Sequence, residues 1–210
     1  MRKYLTILFW FFKLLFLSMV IYLIFFKLSD NRRLAKIVAM LFIGGYSFFK
    51  IGIDDQIEKI IRGRINNKLI TLIVIVFGLF IINNVFQVQF LGMDFGYDVS
   101  IMPIYYLYFL ITSTAEEILY RGYLQRKIDS INLDNTLISK GVIYSSILMI
   151  LTHLGFFYTM PLPSAISSVS VVSIFSIFMG VIMKKTNNLL IPIIIHILVN
   201  WIHLTLAIML

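Results

Sequence analysis

Six stretches of this chain, residues 4–26, 69–88, 101–120, 137–159, 165–183 and 189–210, are nearly unbroken apolar runs of about twenty residues. That is the length an α-helix needs to cross the hydrocarbon of a bilayer. Within lipid only helices and closed barrels satisfy every backbone group, and the two-residue alternation of a barrel strand is absent here. The expected fold is therefore all-α, a polytopic transmembrane helical bundle of six to seven membrane helices. The seventh candidate is the shorter run 37–49, with Gly44 and Gly45 in its middle. It reads as a short span, a re-entrant piece or an interfacial helix. The first run follows Met-Arg-Lys as a signal peptide would. It is too long for a signal sequence and no small-residue cleavage site follows it, so it reads as a retained first helix.

Charge bears the membrane reading out. Only 13% of residues are charged, about half the share of a soluble domain. The excess of 18 Lys and Arg over 10 Asp and Glu is confined to short loops. That is a topology signal rather than a nucleic-acid footprint, so lipid and not nucleic acid is the expected surroundings. Segment 50–68 is basic and reads as cytoplasmic, 93–99 carries only Asp94 and Asp98 and reads as outside, and 121–140 is basic again. The loop near Pro161 and Pro163 is uncharged and Lys184–Lys185 is basic, which continues the alternation. Before residue 50 the pattern leaves two arrangements open, because both ends of the first run are basic and the crossing of 37–49 decides between them. The absence of cysteine excludes disulfides, thiol catalysis and cysteine-bound metals.

Ionisable groups inside apolar spans are expensive, and each is a functional hypothesis. Two acids fall there, the adjacent Glu116 and Glu117, together with His153, His196, His203 and Asn200. Glu117 and Arg121 are four apart and share a helix face, so an ion pair is available. Glu116 points about 100° away and is left facing another surface. A carboxylate in a poorly solvated site is a plausible base near neutral pH. His196 and Asn200 are also four apart and offer donors towards one point, as an oxyanion needs. His153 can meet Glu116 across the bundle and help hold a water. The plainer readings are an interfacial salt bridge for the acids and Arg121, and interhelical hydrogen bonding for the histidines and Asn200. For His203 that plainer reading is preferred, and Lys13 is expected to snorkel or pack.

Glu116-Glu117-x-x-x-Arg121, the later His153 and the final His196-x-x-x-Asn200 together resemble the CPBP family of intramembrane proteases. This is the CAAX-protease and bacteriocin-processing family, also called Abi or type II CAAX endopeptidases. The stretch Phe175–Gly180 and the run Thr186–Pro192 are similar to its third and fourth motif region. The likeness covers residues 101–204 as a protease core, with 1–95 as N-terminal membrane helices. It implies a glutamate-type endopeptidase with Glu116 as general base, His153 assisting, His196 and Asn200 stabilising the oxyanion, and Glu117 and Arg121 shaping the site. Two positions depart from the family pattern: Met149 stands where Phe is usual, and Ser176 where Gly is usual. Neither removes a catalytic group.

No cofactor is expected. A zinc site built from Glu116, His153 and His196 is the weaker alternative, since the helical HExxH signature is missing. The resemblance implies a peptide or lipid-anchored protein substrate. Usage rich in Ile, Lys and Asn leans towards a bacterial plasma membrane and a bacterial substrate, including peptide processing or bacteriocin self-immunity. The competing classes are a non-catalytic immunity or regulatory protein that binds a partner through its helices, and a transporter. One difficulty is depth: His153 and Asn200 lie roughly 18–20 Å along helices that begin at Lys140 and Asn188, which calls for a water-filled cavity.

Overall fold

The computed structural model describes residues 2–29, 31–54, 67–132 and 136–210. Among these there is no strand, and the chain is a bundle of seven long helices. They are α1 (Arg2–Ser29), α2 (Arg32–Asp54), α3 (Asn67–Val85), α4 (Met102–Glu117), α6 (Lys140–His153), α8 (Leu162–Thr186) and α9 (Leu190–Met209). Two short helices, α5 (Arg126–Asn132) and α7 (Phe156–Thr159), complete the order. Among the described residues six helices are long and apolar enough to cross a membrane, and the fold is that of a multi-pass membrane protein. The expected span 101–120 is not one of the six, because its α-helix, α4, has 16 residues before the winding changes; α2 takes its place in the count. Much of the basic 50–68 segment used for the topology reading lies outside the described residues.

The run 37–49 is not a short piece. It sits inside α2, whose apolar part Arg32–Ile51 is of full spanning length. Ala35, Ala39, Ile43, Ser47 and Ile51 form its buried stripe, four residues apart throughout. The small side chains on this face let α2 lie close against α1 and α4. Gly44 shows how close: a Cβ there would stand 2.9 Å from that of Ala115. The basic residues at the start of α2 hid the span, and they are engaged by the protein itself. Arg33 donates to the Tyr105 hydroxyl at 2.5 Å and lies over its ring. Lys13 packs over the Trp10 ring, as expected for a cation in an apolar helix.

Between Met102 and Asn132 the backbone is one continuous helix with a change of winding in the middle. Residues Ile118–Gln125 are a π-helix, flanked by α4 and α5. Such segments make i→i+5 hydrogen bonds and often mark functional sites. This one begins immediately after the two glutamates. The helix starts cleanly because Pro103 occupies its first turn. The Asp98 carboxylate, just upstream, accepts from the amide and hydroxyl of Ser100, and these bonds hold it below its ordinary pKa. At α6 the Ser139 hydroxyl caps the first turn by accepting from the Val142 amide.

The core gathers Phe11 of α1, Ile43 of α2, Val76 of α3, Leu124 of the π segment, Met149 of α6, Met179 of α8 and Val199 of α9. Phe9, Phe16, Val74 and Ile82 instead point outward and are more than half exposed, the distribution expected where lipid replaces water.

Candidate active site

Glu117 and Arg121 are both fully buried and lie 3.5 Å apart, Oε2 to Nε. A buried charge must be paired and hydrogen-bonded; the Nε–Oε2 contact supplies the pairing without a hydrogen bond, and the terminal nitrogens of Arg121 supply the bonds. Its guanidinium donates to the Ser145 hydroxyl at 2.8 Å, and to the Ser176 carbonyl and hydroxyl at 2.7 and 2.6 Å. The π segment thereby ties α4 to α6 and α8. The two departures from the family pattern meet here. The Ser176 hydroxyl donates to the Met149 thioether at 3.3 Å, which also lies 3.5 Å from Arg121. Ser176 is thus more than a small residue at a close helix approach; its hydroxyl is a ligand of the buried cation.

The other oxygen of Glu117 accepts from His196 Nδ1 at 2.9 Å. With Nδ1 so engaged, Nε2 is the nitrogen left for chemistry, and it lies 3.9 Å from the Glu116 carboxylate. Phe175 meets the imidazole edge to face and fixes its plane. Glu116 therefore faces a different environment from its neighbour, as the helical offset predicts. Its side chain is 17% exposed, against 0% for Glu117.

That environment is a cavity of about 620 Å³, lined by Glu116, His153, His196 and Asn200 among others. All four sequence-predicted catalytic residues thus reach one space. The cavity also answers the depth problem, because His153 and Asn200 open onto it from within their spans. His153 Nδ1 bonds the Met149 carbonyl at 2.8 Å, which holds the ring against the helix. The Asn200 amide donates to Ser113 at 2.8 Å, so one of its donors is engaged within the protein. Tyr120 bonds Thr152 across the α6 contact at 2.9 Å.

His203 behaves as its plainer reading holds. Its Nδ1 bonds Asn84, its Nε2 lies 3.2 Å from the Tyr97 hydroxyl, and Phe95 stacks on it edge to face. It ties α9 to α3 and the 91–98 loop, although it too borders the cavity. The sequence reading did not single out Ser113, Ser145, Ser146 or Lys36. A signal existed for three of them, since Thr112-Ser113-Thr114 and Ser145-Ser146 are polar breaks within apolar spans. Among the described residues no three His, Asp or Glu side chains converge closely enough to hold a metal ion.

Comparison with known proteins adds an independent line. The family model described as type II CAAX prenyl endopeptidase, Rce1-like, matches residues 98–202. No curated protein and no solved structure matches the chain. The matched stretch runs from just before α4 into α9 and contains Glu116, Glu117, Arg121, His153, His196 and Asn200, with His203 just beyond it. The chain belongs to the Rce1-like type II CAAX prenyl endopeptidase family, a family of membrane proteases.

Proposed function

We propose that this protein is an intramembrane endopeptidase in which Glu116 activates water against a peptide bond. The observation that carries the reading is the convergence of Glu116, His153, His196 and Asn200 on one cavity, with His196 held at 2.9 Å by the buried Glu117. A water between Glu116 and His153 loses its proton to the Glu116 carboxylate and attacks the carbonyl carbon. The oxyanion that forms is met by His196 Nε2 and the Asn200 amide, and their donors stabilise it most where the site is driest. With Nδ1–H given to Glu117, Nε2 donates to the oxyanion when the ring carries its second proton, and Arg121 holds Glu117 in place. Glu116 then returns the proton to the leaving amine, and the two fragments separate.

The family name points to substrates ending in a lipidated cysteine followed by three residues, so a membrane-anchored chain with its C-terminus in the cavity is the substrate class. A bacterial plasma membrane is the setting that residue usage favours, with peptide maturation or bacteriocin self-immunity as the physiological role. The reaction as written uses no metal.

The test compares wild type and Glu116→Gln in the same membrane, with and without a zinc chelator, by mass spectrometry of peptide termini. New termini that vanish with Glu116→Gln and survive chelation are the expected result. Loss on chelation would move the reading to zinc. Identical termini from both proteins, with an unchanged cellular effect, would leave a non-catalytic membrane factor acting through a binding partner.

A further inference from the structure

Among the described residues Lys36 is the one Lys or Arg that lines the cavity. It comes from α2, outside the residues 98–202 that the family model matches. Its ammonium lies 5.3 Å from the centre of the Tyr108 ring. Among the described residues no carboxylate comes within ion-pair distance of it. Like Arg33, which is held by Tyr105, Lys36 has a tyrosine beside it, and the charge of Glu116 reaches it across the same space without contact. With no acid in contact and the side chain exposed, its ammonium is open to a further anion, so its position points to a negative ligand.

Tyr108, Thr112 and Glu116 line the cavity from one face of α4, at successive four-residue intervals. Two helical turns separate the ring beside Lys36 from the Glu116 carboxylate, a rise of about 12 Å. Lys36, Met40 and Ile43 border the same space from one face of α2. The wall between cation and carboxylate is thus mainly apolar. A peptide with its scissile carbonyl at Glu116 covers about 10–11 Å with three extended residues, which brings its terminus to the ammonium.

We infer that Lys36 binds the free C-terminal carboxylate of the substrate, three residues beyond the bond that is cut. The inference rests on the endopeptidase reading above. On this view Lys36 measures the length of the leaving peptide, and Met40 and Ile43 receive its apolar side chains. Pairing one terminal carboxylate with one ammonium at this exposed position is worth up to roughly tenfold in recognition.

The experiment uses the full chain in lipid nanodiscs and two prenylated peptides of sequence Cys-aliphatic-aliphatic-Xaa, one ending in the acid and one in the amide. Binding is measured first, on the Glu116→Gln protein, so that it does not depend on turnover. The acid is expected to bind roughly tenfold tighter than the amide, with the difference absent in Glu116→Gln/Lys36→Gln and partly restored by Lys36→Arg. Equal binding of acid and amide to Glu116→Gln would overturn the proposal, and so would equal weakening of both by Lys36→Gln. Cleavage is then compared in proteins with Glu116 intact, where Lys36→Gln should raise KM for the acid with little change for the amide. Selective binding without cleavage would leave Lys36 as the anchor and remove the endopeptidase reading. Glu116-dependent cleavage with no preference for the acid would do the reverse.

Discussion

Glu116 and Glu117 are neighbours in sequence with opposite surroundings, and this decides what each substitution should do. Arg121 is wholly buried, forms an ion pair with Glu117 and donates to Ser145 and Ser176. Replacing it with Met leaves a buried carboxylate without its cation, a change that typically costs about 3–5 kcal/mol. Thermal unfolding in detergent should show Arg121→Met strongly destabilised. Glu116 reaches the cavity and lacks any partner closer than 3.9 Å among the described residues, so Glu116→Gln should unfold within about 0.5 kcal/mol of wild type. An equal loss in both variants would contradict the assignment of separate roles. The sequence made the split between the two acids readable, because a four-residue spacing pairs Glu117 with Arg121 whatever the bundle looks like. It did not reveal the bond from Glu117 to His196, which joins residues 79 apart and exists only after α9 has packed on α4.

At the scale of the helices, the apolar runs marked six of the seven long elements, and their length alone was enough. The seventh, α2, was legible only in its centre, since Arg33 and Lys36 look like loop residues until Tyr105 and Tyr108 are placed beside them. The π winding of Ile118–Gln125 left no periodic signal to read, because its cause is tertiary: Arg121 and Gln125 must reach Ser176 and Gly180 of α8. Close packing of α2 on α4 has a clear test in two adjacent glycines. A Cβ at Gly44 would press on Ala115, the residue before Glu116, while one at Gly45 meets nothing within 4 Å. Gly44→Ala should lower stability by about 1–3 kcal/mol and reduce activity with it. Gly45→Ala, in the interior of a helix, should be neutral or slightly stabilising. Unfolding temperatures and cleavage rates of the pair check this, and equal behaviour would mean that α2 and α4 are not in close contact.

For the molecule as a whole, the decisive property is that an apolar bundle encloses a space water must enter. The chain has no cysteine, so single thiols can be placed without interference. Thiols react with maleimides through the thiolate, which requires water. Met40→Cys, on the cavity wall, should label with a membrane-impermeant maleimide, whereas Phe16→Cys, 65% exposed on the outer face, should not. Failure of Met40→Cys to label would mean that the cavity is sealed and that hydrolysis lacks its water. The position of that wall carries a further implication. Glu117 and Arg121 are bound into the packing of four helices, so any change there disturbs the fold itself. Lys36 and Met40 look out into empty volume from a helix beyond the matched family region, and replacing them displaces few neighbours. A lineage built on this scaffold is therefore free to drift in what it recognises while the residues that do its chemistry stay locked, and a new selectivity could be engineered from one helix alone.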